Sequence, residues 1–388
     1  MSTTPPQAYI IAARRTALGR VGGLHRNRRL ENLTAPVIEA ALGDARIAAA
    51  RVEEVYLGNS TAGGNPARVV ALAAGLPETA AALTVDRQCG SGLDAILLAV
   101  RAVAEGGVEI AVAGGAESLS TAPWRIAKPK SLYQMPHFIG LEPAGTDATD
   151  EPQSFEASEW LARRLGLSRT AQDAYAAKSH LRATRAREAR RFVGEIVPLR
   201  ANADEARDES VVAADPGALA EATPFLPPDG TLTTANTSAL HDGAAFVVVV
   251  SEAVWRELGE PPALRLVCAA AHGVAPAEEA AAPIAAVTKL FGRLHGFDRA
   301  AIRAIEMSES SAAQAIALAD ALGLDDNVLN ADGGAVARGH PLGASGAVLV
   351  VRLFSRMVRT KDKEPPRHGV AVQGTIGGLG LAALLERA

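Results

Sequence analysis

One stretch of this sequence sets a reactive atom where it could be activated: Val85-Asp86-Arg87-Gln88-Cys89-Gly90-Ser91-Gly92-Leu93. Thiolate is the nucleophilic form of cysteine, and unpaired backbone N–H groups and the positive end of a helix dipole both favour it. Cys89 is expected to sit at such a place. Ala81 to Val85 is apolar and β-prone, and reads as a short buried strand. Leu93, Ile96, Leu97, Val100 and Val103 then recur with helical spacing, and Gly106-Gly107 stops the helix. The glycines beside Cys89 read as the points where the backbone bends sharply. A lone cysteine is usually a packing residue; the Gly-Ser-Gly behind this one argues for a nucleophile.

The other cysteine, Cys268, falls on a predicted strand and reads as a buried structural residue. Two cysteines in 388 residues argue against a disulfide framework and place the chain in a reducing cytoplasm. The N-terminus has no basic segment before an apolar run, so no secretory signal is expected. Phe246 to Val250, the longest aliphatic run, is too short to span a bilayer. A net charge of −4 gives no reason to expect a nucleic-acid partner.

The elements that would position Cys89 alternate as in an α/β protein. Strands are expected at Ala8 to Ala13, Val52 to Leu57 and Glu109 to Ala113, with helices at Leu33 to Leu42 and Ala67 to Ala74. Periodicity fades after residue 120. Ala122 to Phe155 reads as inserted loop, Ser168 as the cap of a helix running to about Arg191, and that helix's arginines as a solvated face. Ala201 to Pro228 reads as acidic and irregular. Alternation resumes after Pro261-Pro262. Strands at Leu264 to Ala270 and Ile302 to Met307 lead to Gly339-His340-Pro341-Leu342-Gly343-Ala344-Ser345-Gly346, a helix, and a final hairpin of Gly369 to Gln373 and Leu379 to Leu385. Gly343-Ala344-Ser345-Gly346 echoes Cys89-Gly90-Ser91-Gly92. Two copies of one unit about a pseudo-two-fold axis would bring the Cys89 and His340 turns together.

Four segments together resemble the thiolases: Cys89 to Gly92, Val112-Ala113-Gly114-Gly115-Ala116-Glu117-Ser118, Asn236 to Gly243, and Gly339 to Gly346. The resemblance covers essentially the whole chain. It implies an α/β thiolase fold of two βαβαβαββ halves in a five-layered αβαβα core, with an inserted loop domain over the site. On that pattern residues 1–119 form the N-terminal half, 120–240 the cover, 241–262 the return to the N-terminal half, and 263–388 the C-terminal half. It implies homodimers or homotetramers, no bound cofactor or metal, and a coenzyme A thioester as substrate. By the same resemblance Cys89 accepts the acyl group and His340 is its base, the cysteine–histidine pairing being a recurring one. The backbone N–H groups of Cys89 and Gly377 match an oxyanion hole, and Ser238 matches a contact to the pantetheine arm.

Two positions depart from the family. The second catalytic cysteine, which makes and quenches the substrate carbanion, is replaced by Thr375, whose hydroxyl cannot hold a negative charge near neutral pH. The Asn-Glu-Ala-Phe motif, whose asparagine holds a water in a further oxyanion hole, reads Ser308-Glu309-Ser310-Ser311. Sterol-carrier thiolases place a cysteine where Ser310 stands. A histidine that often lines the thioester pocket aligns best with Gln153. Acylation machinery is kept and carbanion machinery altered. Three readings follow: a thiolase-type acyltransferase with changed acid/base groups, a transferase to water or a heteroatom, or a non-catalytic acyl-CoA-binding homologue or partner subunit.

Overall fold

The computed structural model describes residues 7–139, 154–199, 203–325 and 327–388; Gln153 lies outside them. Strand alternation decides the layering, because successive side chains point to opposite faces. In the strand His241–Ser251, Phe246, Val248 and Val250 pack with Leu33, Ile38 and Val70. Its alternate residues Ala245, Val247 and Val249 pack with Leu93, Ile96 and Leu349. The strand Leu379–Arg387 splits likewise. Leu381, Ala383 and Leu385 join that same inner cluster, while Ala382 and Leu384 join Val287, Leu290 and Leu318.

Three apolar clusters separated by two strand layers make five layers. Helices Leu30–Ala45 and Pro66–Ala73 cover one outer face. Helices Ala282–Gly292 and Ala312–Leu322 cover the other. Between the sheets lie Ser91–Ala104 and Ser345–Phe354, the helices that follow the Cys89 and His340 turns. The strands run in the order Ile302–Met307, His368–Thr375, Leu379–Arg387, Leu264–Gly273, Ala8–Arg15, His241–Ser251, Ile110–Glu117, Glu54–Gly58 and Ala81–Val85. The two halves join at Tyr9 opposite Arg265 and Ile10 opposite Leu264.

Several sequence expectations need correction. Ala81–Val85 is an edge strand, with Leu83 49% exposed, because nothing follows it in the sheet order. The strand expected to end at Ala113 runs on to Glu117. Glycine permits this: a Cβ at Gly114 would meet the Ala245 carbonyl, and one at Gly115 the Gly343 carbonyl. The insert carries helices Ser154–Arg164 and Arg169–Glu188, the latter capped as expected by Ser168 accepting the Ala171 N–H at 3.1 Å. Its arginines are not simply solvated. Arg182 and Arg187 donate to the Leu329 and Val211 carbonyls, and Arg191 pairs with Asp332. The acidic segment after residue 200 is likewise drawn inward. Asp208 is buried against Arg15 at 2.6 Å, and Glu195 bridges Arg15 and Arg352.

The glycines around Cys89 serve close approach rather than bending. The left-handed residue of the turn is Gln88, with φ 50°, whereas Gly90 has φ −81°. A Cβ at Gly90 would lie 2.7 Å from Leu381 Cδ1 and 2.9 Å from Thr375 Cγ2. A Cβ at Gly92 would lie 2.6 Å from the Gly343 carbonyl, and one at Gly346 would lie 2.6 Å from the Leu93 Cβ. Gly92→Ala should therefore wedge the two central helices apart and destabilise the fold by roughly 1–3 kcal/mol, as overpacking does. Urea-unfolding midpoints check this, and an unchanged midpoint would show that the helices can separate without strain.

Candidate active site

The Cys89 and His340 turns, 251 residues apart, meet with Cys89 Sγ 3.1 Å from His340 Nε2. Each turn is fixed by its own residues. Ser91 closes the Cys89 turn, its hydroxyl accepting the Arg87 N–H at 2.8 Å and donating to the Gln88 carbonyl at 2.5 Å. The His340 backbone is held against a second segment: its N–H donates to the Ala239 carbonyl at 2.9 Å, and its carbonyl accepts the His241 N–H at 3.1 Å. Gly339 has φ 106°, and the His241 ring fills the space a Cβ would take. Glu117 ties the two turns together. Its carboxylate accepts from Asn59 Nδ2 at 2.8 Å, the Ser60 N–H at 3.1 Å and the Gly343 N–H at 3.0 Å, and also from the Thr61 hydroxyl.

The imidazole is oriented by two hydroxyls, Ser345 Oγ at 2.8 Å and Ser308 Oγ at 3.1 Å from Nδ1. With Nδ1–H donating to them, Nε2 keeps its lone pair for the Cys89 thiol, a tautomer assigned from this network. Ser308, standing where the family's asparagine holds a water, turns its hydroxyl to His340. Ser345 was not singled out in the sequence; its helix-opening position, five residues after His340, was the available signal.

Burial sets the charge state. Cys89 is 5% exposed and its thiol is pushed up to about 12, chiefly by desolvation, with the Glu279 charge adding to the rise. Backbone N–H groups of Ile376 and Cys89 itself oppose the rise without overcoming it. His340 is pushed down to about 4, again by desolvation. This corrects the expectation that the turn favours a resting thiolate: the pair rests as neutral thiol and neutral imidazole. Cys268, expected to be buried, is only half-buried on its strand.

The pair lies on a cavity of about 390 Å³. Thr375, Ser238, Ser308 and Ser310 line it, as do Phe155 and Phe225 from the insert. Ser238 Oγ donates to the Ser310 carbonyl at 3.4 Å. Thr375 is buried and its hydroxyl donates to the Ile376 carbonyl at 3.0 Å. The Gly377 N–H does not stand open as an oxyanion donor; it donates to Glu279 Oε2 at 2.8 Å. Glu279 was missed in the sequence, because a glutamate in an alanine-rich run carries no motif. Glu309, within the altered motif, is buried beneath the site, accepting from Tyr175, Ser179, Asn330 and the Val336 N–H.

The shift at His340 makes a stability prediction. The ordinary value is 6.5 and the folded value about 4, so between these the unfolded chain binds a proton that the folded chain refuses. Stability present at pH 7 should fall as pH drops through this window, by up to about 3 kcal/mol from this one group. Unfolding free energies at pH 7 and 4.5 should show a smaller acid loss in His340→Gln than in the wild type. His25 and His180, also lowered by burial, remain in both proteins and cancel in the comparison, while His241, whose charge acts on His340, counts with it. Equal losses would mean that His340 titrates normally.

Known proteins share this architecture. The chain is 36% identical to the acetyl-CoA acetyltransferase of Thiocystis violacea, over 97% of this chain and 98% of that one. It is also 36% identical to the acetyl-CoA acetyltransferase of Pseudomonas aeruginosa, with the same coverage. It superposes on the crystal structure of the Bacillus anthracis acetyl-CoA acetyltransferase with a TM-score of 0.91, at 30% identity over the whole of both chains. Residues 8–253 match the thiolase N-terminal domain and residues 261–387 the thiolase C-terminal domain. With both domains present in order, and a cysteine and a histidine meeting between them, the chain belongs to the thiolase family.

Proposed function

We propose that this protein is a thiolase-type acyltransferase that moves an acyl group from a coenzyme A thioester to Cys89, then to a second acyl-CoA or to coenzyme A. The carrying observation is the 3.1 Å contact between Cys89 Sγ and His340 Nε2 on a cavity of about 390 Å³. Because the pair rests neutral, attack couples two events. Sγ bonds to the thioester carbonyl carbon as its proton moves to Nε2. The carbonyl–sulfur bond then breaks, and the imidazolium returns that proton to the departing coenzyme A sulfur. The burial of both side chains strengthens each charge interaction along this path. About 390 Å³ suits a small acyl chain with the end of its pantetheine arm, for which Ser238 is a contact.

Acetyl-CoA should acetylate Cys89 in a single turnover, read by peptide mass. His340→Ala should slow that step about 10²- to 10⁴-fold, the usual worth of general base help. Acetylation at the wild-type rate in the variant, or on another residue, would remove the assignment.

We further propose a homo-oligomer, dimer or tetramer, that uses the edge strand Ala81–Val85. A sheet edge with a half-exposed leucine is a ready pairing surface, here just ahead of Cys89. Leu83→Lys should lower the mass measured by light scattering, and an unchanged mass would exclude this contact. No helix among the described residues is long and apolar enough to cross a membrane, and two free cysteines suit the cytoplasm in which we place the protein.

A further inference from the structure

Carbon–carbon chemistry needs a group that takes and returns a proton at the carbon beside a thioester carbonyl. The two positions expected to supply or support it are otherwise engaged. Thr375 donates to the Ile376 carbonyl, and Ser308 contacts His340. Among the described residues that line the cavity, three ionise: Cys89, His340 and Glu279. Cys89 carries the acyl group and His340 is its proton partner. The geometry points to Glu279 as the acid/base at the α-carbon. This rests on the acyltransferase reading above.

The placement supports the role in three ways. Glu279 lies in the turn Pro276–Ala281 ahead of the helix Ala282–Gly292, and that turn is tied to the site wall by Gln314 Nε2 donating to the Ala280 carbonyl at 3.2 Å. Its Oε2 accepts the Gly377 N–H at 2.8 Å, which orients the carboxylate beside the Thr375 end of the hairpin. It lines the same cavity as Cys89, so both groups face one space. A carboxyl is also the right kind of group: it can take up and return a proton, which a threonine hydroxyl cannot do near neutral pH.

The step balances. In condensation, a C–H bond beside the carbonyl of the second thioester breaks and its proton passes to the Glu279 carboxylate. The electron pair forms the new bond to the acyl carbon on Cys89. The acyl carbon–Sγ bond breaks with its pair on sulfur, and the Glu279 proton returns to that sulfur. Thiol and carboxylate are restored, and thiolysis is the reverse.

The experiment reads deuterium entry into the methyl group of acetyl-CoA in heavy water, thiolysis of acetoacetyl-CoA, and single-turnover acetylation of Cys89. Glu279→Gln, which keeps the shape, should lose about 10²- to 10⁴-fold in exchange and thiolysis while acetylation changes only a few-fold. Glu279→Ala should regain exchange with added formate, and Glu279→Gln with Thr375→Cys should regain it through the new thiol. A purely structural glutamate would give neither rescue. Exchange at the wild-type rate in Glu279→Gln would overturn this assignment alone, as would acetylation falling in step with exchange or failure of both rescues. A wild type that acetylates Cys89 yet shows neither exchange nor thiolysis would overturn the carbon–carbon reading together with it.

Discussion

The site depends on how closely two helix starts can approach. Ser91–Ala104 and Ser345–Phe354 lie side by side between two sheets, and Gly92 faces the Gly343 carbonyl and Ala347 with no room for a side chain. Gly346 faces Leu93 in the same way. Interiors are packed as densely as organic crystals, so an added methyl cannot be absorbed there without displacing backbone. The Cys89 and His340 turns are the leads into these two helices. Their 3.1 Å contact is therefore a consequence of helix packing in the central layer. Glu117 spans the same seam from below, and its burial pushes its carboxyl up to about 7 while four hydrogen-bond donors hold it in place.

Around this seam the protein keeps water out with a second kind of packing. Arg15 and Arg352 are fully buried, joined through Glu195 and continued to Asp208 and Asp332. These residues come from the first strand, the insert, and the C-terminal half. Such a network is weak evidence for net stability, since desolvating the charges offsets much of their attraction. Its geometry is demanding, however, and losing one partner strands another charge in a dry interior. The network fixes where the insert sits, and the insert carries Phe155 and Phe225 to the cavity wall.

Burial likewise explains the resting chemistry. A helix dipole and nearby N–H groups act on a sulfur within a turn, but removal of water acts more strongly on either charged form, and both members of the pair stay neutral. Charge is then created only when a substrate supplies an atom to receive it. The altered positions fit this economy of polar groups. Ser308 contacts the imidazole, Thr375 satisfies a carbonyl, and the carboxylate of Glu279 takes the backbone N–H of Gly377.

What the sequence by itself determined was local or motif-borne. The strand–turn–helix about Cys89, the Ser168 cap and the closing hairpin all follow from periodicity and turn chemistry within a few residues. Four short segments carried the family, and with it the pairing of Cys89 with His340. The tertiary structure alone decided what depends on partners distant in the chain. The charge state of Cys89 follows from burial by residues of both halves. The inward turn of Asp208 and Glu195 follows from arginines 193 and 157 positions away. The Gly377 N–H is met by a carboxylate 98 residues earlier, and the exposed edge of Ala81–Val85 follows from the sheet order. Periodicity and propensity describe how a residue relates to its near neighbours, whereas desolvation and ion pairing are set by which surfaces meet when the layers close.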